Sequence, residues 1–268
     1  EPALPVGREG WFPGLLRGAL ATVRTVLAVD DGAARAFRRA GAPQVEVAGR
    51  MEEHSTVLPC LEAERAALAA LMATRPVWLA ADVPSGEEAA VIQAQRAALR
   101  LAHRLLLILV PQDPARALAL SQQMQEVEGW TVALRCRDEE PDAETEVYIV
   151  DNPQEYGLWY RLAPVTFLGG SLAGQGAGRN PMEPAALGSA ILHGPRAGGY
   201  GAAFGRLGAA RAARAVASGA DLAEALGDLL APDRAARLAQ AAWAVSSDGA
   251  EVTDRVLDLI RQLTDGAA

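Results

Sequence analysis

Lysine is missing altogether: all 25 positions counted as Lys or Arg are arginine. This reads as a bias toward GC-rich codons, and it means that any phosphate contact must come from Arg or from the backbone. Cysteine is scarce, with Cys60 and Cys136 too few and too isolated for a disulfide framework or a metal site, so a reduced, cytoplasmic setting is the default. No apolar run approaches the roughly 18 to 20 residues that span a bilayer. No signal peptide is visible, and the chain opens at Glu1 rather than Met, which reads as a fragment or a processed chain. Neither a Gly-x-Ser-x-Gly turn nor a phosphate-loop lysine occurs, which sets aside serine hydrolases and P-loop NTPases. His54, His103 and His193 lack metal-ligand spacing. Cations are also in the minority: the net charge is −8 and the pI near 5.0, so a nucleic-acid partner has no electrostatic support.

What is present is aliphatic. Half of the 268 residues are hydrophobic and only 5% are aromatic, a balance that favours a helix-rich α/β protein with one large or two modest domains. Trp11 and Phe12 mark an early helix or docking segment, to be buried against a neighbouring domain or laid on a membrane surface. A strand at 25–29, a helix at 33–40 closed by Gly41, and a strand at 45–48 form a βαβ unit, which implies a parallel sheet. A helix at 61–73 and a strand at 77–81 follow. The loop Asp82–Glu88 then enters a helix running to about His103, with Ser85 as its cap and Glu87 and Glu88 complementing its dipole. Leu105–Val110 has the unbroken apolar character of a strand covered on both faces. A helix at about 115–128 and strands at 131–135 and 146–150 come next. Helices are expected at 207–218, 221–230 and 232–245, with a separate last one after Ser247-Asp248-Gly249 reaching Leu263. The alternation from about 76 to 195 implies a doubly wound parallel sheet with its ligand crevice at the carboxyl ends of the strands.

The densest information lies between Pro164 and Pro195. A short strand, Val165 to Leu168, runs into a glycine turn at Gly169, Gly170 and Ser171. A loop with Gly174, Gly176 and Gly178 follows. Asn180-Pro181 opens a helix, with Asn as N-cap and Pro at the first position, where no donor is needed. A second apolar strand at 190–192 closes on Gly194-Pro195. Strand, glycine turn and helix start should leave unpaired backbone N–H groups around a small space suited to an anion. Glu183, in the first helical turn, adds a carboxylate of the kind ribose hydroxyls require.

Gly169-Gly170-Ser171-Leu172, Gly178-Arg179-Asn180-Pro181-Met182-Glu183-Pro184 and Ile191-Leu192-His193-Gly194-Pro195 together resemble the signature of the 3-deoxy-D-manno-octulosonic acid (Kdo) transferases. These are GT-B glycosyltransferases of lipopolysaccharide synthesis that use a CMP-sugar donor. The resemblance implies a GT-B-type, Rossmann-like fold with a partial first domain. It implies a nucleotide site of Gly169, Gly170, Ser171, Asn180 and Glu183, joined by Ser85, Gly86 and Glu155 from loops similar to the family's. The partners it implies are CMP-Kdo, a lipid A-type acceptor and the cytoplasmic face of the inner membrane; no cofactor and no metal are implied. Residues 1–50 match the last unit of the family's first domain, 51–75 a linker and helix, 76–246 the nucleotide-sugar domain, and 247–268 the helix that crosses back. The family's general base belongs to the part of the first domain not represented, so no residue here is assigned as catalytic.

The pattern also departs from the family. Glu52 replaces a lysine, Val83-Pro84 replaces hydroxyl and imidazole groups, Gln112-Asp113 replaces Arg-His, and Gln154 replaces a glycine. A diverged, non-catalytic nucleotide- or partner-binding module is therefore the second reading. His193 is either a ligand contact or packing, and Tyr156 and Trp159 either stack on a base or fill the core.

Overall fold

The structure, a computed structural model, describes residues 13–48 and 57–265, and the side chains of 17–48, 57–247 and 256–262. The chain divides into two compact units, 1–54 with 248–268, and 55–247. The expectations placed on Trp11, Phe12, Arg50, Met51 and Glu52 lie outside the described residues.

In the smaller unit, β1 (Val26–Ala28) and β2 (Val45–Val47) pair in parallel around α2 (Asp31–Ala40), after an opening helix α1 (Pro13–Ala21). Local chemistry sets both ends of α2. The Asp30 carboxylate accepts the Ala33 N–H at 2.7 Å, and Gly41, at φ 99°, closes the C-terminus in the left-handed conformation.

The larger unit is built on seven parallel strands. These are β3 (Val77–Val83), β4 (Leu106–Pro111), β5 (Val132–Leu134), β6 (Val147–Ile149), β7 (Val165–Leu168), β8 (Ala190–His193) and β9 (Ala213–Ala215). Their order is β5-β6-β4-β3-β7-β8-β9. Alternation of side chains across the pleat divides the core in two. Trp78, Ala80, Leu107, Leu109, Val165 and Phe167 face one side, where α4 (Glu88–Leu99), α5 (Ala117–Gln123) and α9 (Gly219–Leu229) pack. Leu79, Ala81, Leu106, Ile108, Leu168 and Ile191 face the other, covered by α3 (Glu62–Met72), α6 (Tyr156–Leu162), α7 (Met182–Ala186) and α8 (Gly201–Ala209). Two polar pairs lie inside: Trp78 Nε1 donates to Gln95 Oε1 at 2.7 Å, and the Thr166 and Ser189 hydroxyls meet at 2.8 Å.

Adjacent strands β3 and β7 send their helices to opposite faces, α4 to one and α7 to the other. Such a reversal is where doubly wound sheets seat their ligands, and here it places the Asp82–Glu87 loop beside the Gly169–Gly178 loop.

Three expectations are corrected. The helix expected at 207–218 is instead the end of α8, a left-handed turn at Arg211 (φ 53°), and the edge strand β9 pairing with β8. Three residues, Ala-Arg-Ala, are too short a run to show period-two alternation. The two terminal helices are one, α10 (Pro232–Asp265), running through Ser247-Asp248-Gly249. Such residues cost a helix interior only about 0.5–1 kcal/mol each, which a 34-residue helix tolerates. Finally, no side chain caps the turn after β3 or the start of α4, so Ser85 is not a cap; Glu88 does stand in the first turn of α4, whereas Glu87 turns its carboxylate into the glycine loop. Among the described residues no helix is long and apolar enough to cross a membrane.

Candidate functional site

Two loops meet at the carboxyl ends of β3 and β7, and a buried carboxylate joins them. Glu87, wholly inaccessible, turns from the end of the β3 loop into the glycine loop after β7. Its Oε2 accepts the Gly170 N–H at 2.8 Å. Its Oε1 accepts those of Leu172, Ala173 and Gly174 at 2.8, 2.6 and 2.9 Å. The donors expected to stand unpaired for an anionic ligand are thus taken by the protein's own anion. Ser171 is equally internal: its hydroxyl donates to the Leu168 carbonyl at 2.5 Å and accepts the Gly194 N–H at 2.7 Å. Gly170 lies at φ 76°, and a Cβ on Gly169 would run into the Asp82 carbonyl, so both glycines are required by the turn itself.

Asp82 is the second unusual residue. It holds a left-handed φ of 54° where the β3–β4 register shifts, a conformation uncommon outside glycine. Its Oδ2 accepts from Gln112 Nε2 at 3.3 Å and abuts Gly178. Asp113 caps the following turn by accepting the Ala115 N–H at 3.0 Å.

Glu183 sits where the glycine loop becomes α7. Asn180 Oδ1 accepts the Met182 N–H at 3.0 Å and so fixes the helix start. The Glu183 side chain is only 14% exposed and pairs with Arg179 at 2.8 Å, one turn earlier. Tyr160 donates its hydroxyl to the same carboxylate at 3.2 Å, and the Arg179 guanidinium lies 4.3 Å from the centroid of Tyr156, which stacks on Tyr160. Burial lifts the Glu183 pKa above its ordinary value, with Arg179 and Tyr160 offsetting part of the rise. Burial pushes up both tyrosines as well.

The other expected residues are placed as follows. Ser85 and Gly86 are exposed at the tip of the β3 loop, directly before Glu87. Glu155 pairs with Arg135 at 3.1 Å, and Arg135 also binds Glu64 and lies over Trp159. Trp159 and Tyr156 are core residues, which favours packing over stacking on a base. His193 packs on Phe204 with centroids 4.4 Å apart, its Nδ1 is 2.7 Å from the Gly194 carbonyl, and burial lowers its pKa. It reads as a neutral packing residue. The site residues missed in the sequence are Glu87, read as a dipole partner, and Arg179 with Tyr160. The spacing of Arg179 and Glu183, four apart at a helix start, carried that signal.

No family model matches the chain. It is 30% identical over 189 residues to the 3-deoxy-D-manno-octulosonic acid transferase of Haemophilus influenzae, covering 70% of this chain and 44% of that protein. It is 32% identical over 261 residues to the same-named protein of Bordetella pertussis, covering 94% of this chain and 60% of that one. The crystal structure of the C-terminal CMP-Kdo binding domain of WaaA from Acinetobacter baumannii superposes with a TM-score of 0.62 at 26% identity, over 69% of this chain and 98% of that domain. These likenesses relate the chain to the Kdo transferases. It spans about half the length of the two relatives, and its larger unit has the GT-B-type, Rossmann-like fold of that C-terminal domain. These likenesses favour a glycosyltransferase relationship over the reading as a diverged, non-catalytic binding module. At the end of β4, Gln112 donates to Asp82 and Asp113 caps the following turn, so neither position presents a cation.

Proposed function

We propose that this chain is the donor-nucleotide half of a Kdo-transferase-like glycosyltransferase. Its donor is a CMP-sugar, CMP-Kdo by likeness to its relatives, and its acceptor a lipid A-type precursor met at the cytoplasmic face of the inner membrane. The smaller unit is the last βαβ part of the first GT-B domain together with the returning C-terminal helix. The observation that carries the reading is Glu183: a largely buried carboxylate at the mouth of α7, beside the glycine loop and the carboxyl ends of β3 and β7, of the kind ribose hydroxyls require. Asn180 fixes its helix start, and Gly169, Gly170 and Ser171 give the loop its shape. In sugar transfer an acceptor hydroxyl attacks the anomeric carbon as the bond to the phosphate oxygen breaks and CMP departs. This half contributes by positioning the nucleotide and stabilising the charge of the leaving phosphate; proton removal from the acceptor falls to the first domain.

Isothermal calorimetry with CMP, UDP and GDP tests the proposal. CMP binding is expected, and Glu183→Ala should weaken it by about 1–3 kcal/mol, the scale of lost hydrogen bonds to a charged group. Heat with none of the three nucleotides overturns the donor reading, and unchanged affinity in the variant removes Glu183 from the site.

A further inference from the structure

We propose that Arg179 is the cation for the donor's 5′-phosphate, held in reserve on Glu183 and released when ribose hydroxyls take that carboxylate. The inference rests on the donor reading above and adds a residue and a sequence of contacts to it.

The first observation is one of capacity. Glu183 Oε2 accepts from Arg179 Nε at 3.1 Å, Arg179 Nη2 at 2.8 Å and the Tyr160 hydroxyl at 3.2 Å, while Oε1 accepts from Arg179 Nη2 at 2.9 Å. The guanidinium fork spans both oxygens. A ribose diol also brings two adjacent O–H donors and is best received by the same pair of oxygens. Diol and guanidinium therefore compete for one edge of one carboxylate, and a nucleoside seated there leaves Arg179 without its partner.

The second observation is one of charge. The strand ends are acidic: Asp82 and Asp113 stand at the ends of β3 and β4, and Glu87 fills the loop that would otherwise present N–H groups to an anion. Other arginines near these strand ends are committed, Arg116 to Glu88 at 2.6 Å and Arg196 to the Ala173 and Gly174 carbonyls at 2.9 and 2.6 Å. His193 is held toward neutrality by burial. The chain has no lysine. A phosphate entering here needs a guanidinium, and Arg179 is the one whose present partner the nucleotide itself displaces. The Tyr156 ring, 4.3 Å from the guanidinium carbon, supports the planar group from one face and leaves its donor edge able to turn. Nucleotide binding then exchanges one internal ion pair for two external contacts, ribose hydroxyls donating hydrogen bonds to Glu183 and Arg179 pairing with the phosphate.

The test compares CMP with cytidine by calorimetry on the whole chain, unaltered and as Arg179→Gln and Arg179→Lys. The unaltered chain should bind CMP more tightly than cytidine. Arg179→Gln should lose roughly 10- to 100-fold for CMP, the range of a charge-assisted contact, while cytidine affinity holds or rises because Glu183 is freed. Arg179→Lys, which keeps the charge without the fork, should fall between. Equal loss for both ligands, or none for CMP, in whichever variant folds overturns the role of Arg179 while leaving the donor reading intact. Failure of the unaltered chain to bind CMP overturns both.

Discussion

Replacing Glu87 should be among the most destabilising single changes in the larger unit. The carboxylate is fully buried and receives four backbone N–H groups between 2.6 and 2.9 Å. Hydrogen bonds to a charged group contribute about 1.5–3 kcal/mol each. A simple sum over four would rival the whole stability of a domain, about 5–15 kcal/mol, so the terms cannot be additive. Glu87→Ala leaves four amides with no acceptor in a turn that Gly169 and Gly170 hold closed. Its cost should be about 3–5 kcal/mol, that of breaking a buried charged network. Glu87→Gln is the sharper probe. Its one carbonyl oxygen can keep the three bonds now made to Oε1, but its amide group then faces the Gly170 N–H, donor against donor. A loss of about 2 kcal/mol is expected. Urea denaturation gives both values, and amide hydrogen exchange locates them: protection at Leu172, Ala173 and Gly174 should collapse in the alanine variant and persist at those three in the glutamine one. A loss below about 1 kcal/mol for alanine, or rapid exchange of these amides in the unaltered chain, would refute the role given to the carboxylate.

Two further outcomes follow from the same geometry. Gly169→Ala must drive a Cβ into the Asp82 carbonyl and should cost about 1–3 kcal/mol in denaturation, whereas Gly86→Ala, with open space around it, should stay within about 0.5 kcal/mol. Because burial raises the Glu183 pKa above 4.5, the folded chain holds that proton more tightly than the unfolded one. The group's contribution to stability is therefore full below 4.5 and declines as pH rises through the raised value; Glu183→Gln should flatten that limb of the denaturation profile. With Glu183 receiving the ribose as proposed, CMP affinity should run the opposite way, falling as pH drops through the same range in calorimetry.

The larger fold was readable where burial leaves a continuous trace. Leu106 to Pro111 is inaccessible on both faces, and such a strand must be apolar throughout. The chemistry of α2 was equally open, since Asp30 and Gly41 act on residues three or four positions away. β9 was hidden because an edge strand of three residues buries little: Ala213 and Arg214 are half-covered, Ala215 is exposed, and what holds them is pairing with β8. A backbone ladder leaves no mark in side-chain identity. The unbroken course of α10 was hidden for a related reason, since Ser, Asp and Gly are weak helix formers but not helix terminators.

The site divides along the same line, by distance in sequence. Arg179 and Glu183 are neighbours on one turn, and their pairing needs no knowledge of the sheet. Glu87 and Gly170 are 83 positions apart and meet only because β3 lies beside β7, a strand order that hydrophobic patterning leaves undetermined. Without that order, a glycine loop ahead of a helix reads as an open nest for an anion. With it, the loop is seen to hold an anion already, one covalently part of the chain. The consequence for recognition is physical. A loop whose N–H groups are spent on Glu87 contributes shape and rigidity, so the attraction for a phosphate must come from a side chain able to change partners. In a chain without lysine and with acids at the ends of β3 and β4, the described residue proposed to meet this condition is Arg179.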